Sequence, residues 1–281
     1  MKNEKSGKEP KEIVESSPNG SLFGEFFEGS KFKKYGRFVF AALGSIPWVG
    51  GLMAASSALH AETEQNKKNL LVGQWINEHS EKIISLQATL ENIANRLDQF
   101  GDEIEKRLQD ETYLSLVRQG FRAWDEANTE TKRSYVAKCL TNAAATKICS
   151  DDIVRMFLDW IKKYDEAHFQ VIKALYHNKG ATRAYIWDEI HGEDVREDSA
   201  EADLFKLLIF DLNTGHVLRQ IREKNAQGQF LAKRRSSKTG KRSVLQSAFE
   251  DTKPYELTEL GAQFVHYVMD ETVTRIEDNP G

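Results

Sequence analysis

The densest group of side chains able to hold a metal or move a proton in this chain is Asp188, Glu189, His191, Glu193 and Asp194, in the run DEIHGED. Carboxylates and imidazole are the ligand types of divalent cations. Their order fits no metal-hydrolase spacing, in which ligands recur so as to face one ion, and a solvated helix end and loop accounts for it. His168, His177 and His216 stand without a serine or cysteine at a spacing that pairs nucleophile and base. Cys139 and Cys149 sit in a helical context with no metal-ligand pattern around them, which reads as two reduced thiols, with Cys139 turned into a helical core. The glycines between Gly44 and Gly51 lack the lysine and hydroxyl residue of a phosphate-cradling loop. We therefore predict neither catalysis nor a cofactor.

One tract is chemically distinctive. Between Glu223 and Glu250 there is no acid, while Lys224, Lys233, Arg234, Arg235, Lys238, Lys241 and Arg242 place seven positive charges among glycines and serines. Such a loop suits phosphates. The whole chain has a net charge of -4 and a pI near 6.0, so nucleic-acid or anionic-membrane binding would rest on this local patch alone.

The elements that carry the tract begin at Asp165. Patterning predicts helices over 167–178, 182–190 and 199–212, a strand at 216–222, a second at 255–257 and a closing helix over 259–270. That order, and the segment Tyr255–Val268 (YELTELGAQFVHYV), resembles a winged-helix domain, here bounded at 165–275, with the basic tract as its wing. The helix in the recognition position opposes DNA reading. It and its approach carry Glu193, Asp194, Glu197, Asp198, Glu201, Asp203 and Asp211 against Arg196 and Lys206, and carboxylates repel a major groove. A protein-docking domain of this type, or a merely solvated loop, is the favoured reading.

Upstream, residues 1–21 are polar and read as a disordered tail. From Leu22 aromatic residues interleave with lysine and lead into Phe38–Leu59, twenty-two residues without a charge in a chain that is 29% charged. A run of that length is enough to span a bilayer. Gly44-Ser45-Ile46-Pro47 lies near its middle, however, and proline cannot continue a helical ladder. The run is therefore predicted to be a hairpin of short helices, with Phe38, Phe40, Ile46, Trp48, Val49, Leu52 and Met53 either buried in protein or released toward a membrane. No secretory signal is visible at the start, so cytoplasmic residence is expected, peripheral to the inner membrane if the hairpin meets lipid.

Behind it, residues 61–108 carry the strongest periodicity. Ile76, Ile83, Leu86, Leu90, Ile93, Leu97, Phe100 and Ile104 alternate steps of three and four, with His79 the polar interruption. This predicts one long helix, a seam for self-association or for packing inside a bundle; Ile84 and Leu108 widen the stripe and favour the bundle. Gly101 marks a bend. Shorter helices follow near 112–127, over 130–148 with an Asn128-Thr129 cap, and after Ser150. The fold class is thus mainly α: an elongated N-terminal helical domain, 22–164, plus a C-terminal winged helix.

GSIPWVGGLMAASSA (Gly44–Ala58), the long helix, KRSYVAKCLTNAA (Lys132–Ala144) and FLDWIKKYDEAHFQVIKAL (Phe157–Leu175) resemble bacterial proteins of the abortive-infection alpha type and helical proteins of anti-phage defence loci. The resemblance implies a defence component, and it transfers no role to any single residue. Two functions follow as expectations. One is a non-enzymatic defence protein that docks another protein of its system, with a conditionally membrane-engaging hairpin. The other is a nucleic-acid-binding regulator that dimerises through the long helix and uses the basic wing.

Overall fold

The computed structural model describes residues 30–50, 65–101, 104–192, 195–221 and 247–269, with side-chain surroundings from Lys34 in the first stretch and from His79 in the second. Outside the described residues lie the tail 1–21, Leu52 and Met53 of the apolar run, the side chain of Ile76, Glu193 and Asp194, and the whole basic tract from Lys224 to Arg242.

The chain is mainly helical with one small sheet. Helix α1 (Ser30–Gly44) ends at the predicted break. Residues 45–46 turn, and 47–50 form a single helical turn, so proline occupies a position where its missing N–H costs nothing. Helix α2 (Gln65–Asp98) is the long one. It stops ten residues short of the predicted end because Gly101 takes φ +75, a left-handed backbone that breaks the ladder. Ile104 and Leu108 fall on a separate short helix, α3 (Ile104–Leu108).

Helices α4 (Glu111–Glu126), α5 (Glu130–Ala145) and α6 (Asp151–Lys163) follow. Asp110 and Thr129 cap the first two by accepting from the backbone N–H groups of Thr112 and Lys132. Ser150 occupies the cap position of α6 without a side-chain bond, leaving Asp151 and Asp152 to complement its positive end. Helix α4 packs on α1, α5 and α6, and α5 packs on α2. Close approach of α4 and α5 requires Gly120: a Cβ there would lie 2.9 Å from Leu140 Cδ1.

The second half contains α7 (Glu166–His177), α8 (Arg183–His191), α9 (Ala200–Thr214), strands β1 (Leu218–Gln220) and β2 (Tyr255–Leu257), and α10 (Glu259–Phe264). The strands pair antiparallel, with Leu218 opposite Leu257 and Gln220 opposite Tyr255. The predicted closing helix widens into a π-turn at Val265–Met269, where the buried Asn142 Nδ2 donates to the Tyr267 carbonyl at 2.7 Å.

One hydrophobic core runs through both halves. Aromatic contacts cross the boundary at residue 164: Tyr135 meets Phe169 edge-on at 5.2 Å, and Phe264 packs against Phe157 at 5.3 Å and Trp160 at 5.4 Å. The seam residues Ile83, Leu86, Leu90, Ile93 and Leu97 are buried against this chain's own helices, Ile104 is buried on α3, and Phe100 is partly buried. His79, the polar seam position, lies with its ring 5.6 Å from that of Trp48. Trp48 in turn donates to Asp125 at 2.7 Å. Phe38, Ile46 and Val49 of the apolar run are each 1% exposed, whereas Phe40 faces outward at 54%. Among the described residues, no helix is long and apolar enough to cross a membrane.

Candidate functional site

Helix α9 has more apolar residues than one face can bury. From Leu204 to Leu212 seven of nine positions are Leu, Ile or Phe. Ala202, Phe205, Leu208, Ile209 and Leu212 turn inward and are buried. Leu204, Leu207 and Phe210, spaced by three, fall on the opposite side and stand 52%, 52% and 62% exposed. Three large apolar side chains on one exposed stripe differ from the scattered apolar residues of an ordinary surface.

The helix that presents them is held at both ends. At its head Ser199 accepts from the Ala202 N–H at 3.1 Å. Glu197 accepts from the Ala248 N–H at 2.6 Å and the Ser247 hydroxyl at 2.7 Å, and pairs with Lys206 at 3.1 Å. These bonds, the Ala248 N–H foremost, hold the Glu197 carboxyl below its usual range. Beneath, Phe205 meets Trp187 edge-on at 5.4 Å and stacks with Phe249 at 6.2 Å. At its foot Gly215 leaves no room for a Cβ, which would lie 1.9 Å from the Tyr164 hydroxyl. His216 takes φ 57, and its carbonyl accepts from the Thr258 hydroxyl at 2.7 Å. The stripe therefore rides on a rigid element, as a docking face requires.

Its electrostatics are acidic. Asp203 and Asp211 flank the stripe, and the neighbouring base, Lys206, is already engaged by Glu197 and, at 3.5 Å, by Asp203. Arg196 closes on Asp198 at 2.7 Å. Of the acids that sequence patterning placed in and before the third helix, Asp203 and Asp211 thus flank an apolar surface. The basic tract lies outside the described residues; its two roots are fixed, Ile221 N–H donating to the Pro254 carbonyl at 2.8 Å and Ser247 held by Glu197.

The residues singled out for metal or acid–base chemistry do not converge. Among the described residues, no three of His, Cys, Asp and Glu are grouped so as to hold a metal ion. Asp188 and Glu189 stand near the end of α8, where the ring of His191 lies 4.1 Å from that of Trp187. His177 lies beside Tyr176. His168 Nδ1 accepts from the Asp165 N–H at 3.1 Å in a capping box, and Nε2 lies 3.8 Å from Asp211. Burial pushes the His168 pKa down, Asp211 and Asp165 opposing it. Both cysteines are buried; burial raises the Cys139 thiol, and that of Cys149 to about 11, which suppresses the reactive thiolate.

Comparison with family models, curated proteins and solved structures returns no match. The chemistry of the α9 face therefore stands on its own geometry.

Proposed function

We propose that this chain is a non-catalytic docking component of a bacterial anti-phage defence system of the abortive-infection type, with the outward face of α9 as its docking surface. The observation that carries the reading is the exposed stripe Leu204, Leu207 and Phe210 on a helix anchored at both ends. Contiguous exposed apolar surface rimmed by polar residues marks interaction sites, and interface cores are depleted of charge and enriched in aromatic residues such as Phe. The defence setting comes from the likeness of 44–58, 132–144 and 157–175 alone. We read residues 165–275 as a winged-helix arrangement in which α9 takes the recognition position; the order α7, α8, α9, β1, β2, α10 and the antiparallel pairing of β1 with β2 support it.

Docking through α9 is better supported than membrane entry through residues 38–59. Phe38, Val39, Leu43, Ile46 and Val49 are buried, and withdrawing five such side chains would forfeit on the order of 10 kcal/mol of burial. That is comparable to the whole stability of a typical domain. It is also better supported than nucleic-acid reading, because the face a recognition helix would offer carries Asp203 and Asp211 around apolar side chains.

The test is phage challenge of cells carrying the chain in its native locus. Leu207→Glu with Phe210→Glu should reduce protection by about tenfold or more, the scale of one lost anchor contact. Ile84→Glu, an equally exposed position on α2, should leave protection intact. Full protection by the double variant, or none from the unaltered locus, would overturn the reading.

A further inference from the structure

We infer that the α9 face takes a basic amphipathic helix of a partner protein, its apolar stripe lying over Leu204, Leu207 and Phe210 and its lysines or arginines meeting Asp203 and Asp211. The inference rests on the docking reading above and names the partner's chemistry. The three anchors follow one another at steps of three, so they form a row that slants around the α-helix while rising about 9 Å along it. A second helix with apolar residues at i, i+3 or i+4, and i+7 covers such a row. Charge then selects among helices. The described charges on the face are carboxylates, since Lys206 is neutralised by Glu197 and Asp203, so a basic rim gains attraction and an acidic one is repelled.

The same charges disfavour other occupants. A second copy packing antiparallel about Leu207 sets Asp203 against Asp211 of its mate, four residues either side of the centre, carboxylate to carboxylate. A phosphate backbone or an anionic bilayer meets the same repulsion.

The experiment uses the purified full chain and two fluorescein-labelled synthetic helices of eighteen residues. Both carry the same leucine stripe, flanked by lysine in one and by glutamate in the other. Fluorescence anisotropy should show the lysine peptide binding at least about tenfold tighter than the glutamate peptide and weakening with added salt. Leu207→Glu with Phe210→Glu should abolish that binding. This variant adds two negative charges, so mere charge attraction to an acidic protein would instead strengthen it. Asp203→Lys with Asp211→Lys should reverse the preference toward the glutamate peptide, with circular dichroism confirming that both variants stay helical. Equal affinity for the two peptides, no binding of either, or binding that survives the double glutamate variant would overturn the inference. So would a dimer in light scattering that the double glutamate variant dissociates. If the peptides fail while that variant still loses protection in cells, the partner chemistry is wrong and the docking reading stands; if protection is also unaffected, both fall.

Discussion

Replacing Gly215 by alanine should strain the junction that seats α9, and replacing Tyr164 by phenylalanine in the same chain should undo most of the damage. A Cβ on residue 215 would fall 1.9 Å from the Tyr164 hydroxyl oxygen, far inside contact distance, and 3.2 Å from its Cζ and from the Asp211 carbonyl. The Tyr164 ring has little freedom to yield, being fully buried and packed between Trp160 at 6.3 Å and His168 at 5.1 Å. Overpacking of this kind costs about 1–3 kcal/mol, and the shortness of the contact puts Gly215→Ala at the upper end. Alanine recovers about 0.5 kcal/mol by restricting the unfolded chain, since Gly215 has an ordinary φ of -74. The net loss is about 2 kcal/mol. Tyr164→Phe alone should be neutral or stabilising, because the buried hydroxyl finds no hydrogen-bond partner among the described residues and its desolvation is uncompensated. With the oxygen gone, the nearest ring atom to the new methyl is Cζ at 3.2 Å, tight but tolerable. Urea denaturation of the four proteins closes a double-mutant cycle. The expected coupling is about 1–2 kcal/mol in favour of the double variant. Additivity within about 0.5 kcal/mol, or a Gly215→Ala chain as stable as the parent, would refute the account of how α9 is seated.

Two further outcomes follow from buried titratable groups. His168 has its pKa lowered from 6.5, chiefly by burial, so the unfolded chain binds its proton first: the neutral ring's contribution is complete above pH 6.5 and is lost as pH falls from there through the folded value. His168→Gln, which keeps an acceptor for the Asp165 N–H, should therefore flatten the stability profile between pH 7 and 5.5, whereas Glu197, lowered from 4.5, acts only below that window; an unchanged slope in the variant would exclude His168 as its source. The buried thiols, with Cys149 raised to about 11, should resist a disulfide reagent in the native protein at pH 8 and react at two equivalents per chain in denaturant; rapid native labelling would contradict their burial.

Sequence alone determined the elements wherever the signal is local. Thr129 was legible as a cap because a hydroxyl next to a helix start satisfies an orphan N–H whatever surrounds it, whereas Thr182 and Ser199, read only as the first residues of their helices, are shown to be caps by the structure; the strand expected at 255–257 is β2. The break at Gly44–Pro47 was equally local, since proline removes a donor in any environment. Periodicity marked Ile83, Leu86, Leu90, Ile93 and Leu97 as one apolar face, yet only the tertiary fold decided that α5 of the same chain covers it. Gly101 was legible as a bend, while the complete stop at Asp98 depends on a left-handed backbone that composition does not reveal. The outward face of α9 shows the limit most clearly. Seven apolar residues in nine identify α9 as a helix with too much to bury, and a helix hydrophobic on both sides is normally enclosed. Which side stays outside is set by the direction from which α7 and β1 approach it, because burial is a property of neighbours brought together across the chain and is written in no single segment of it.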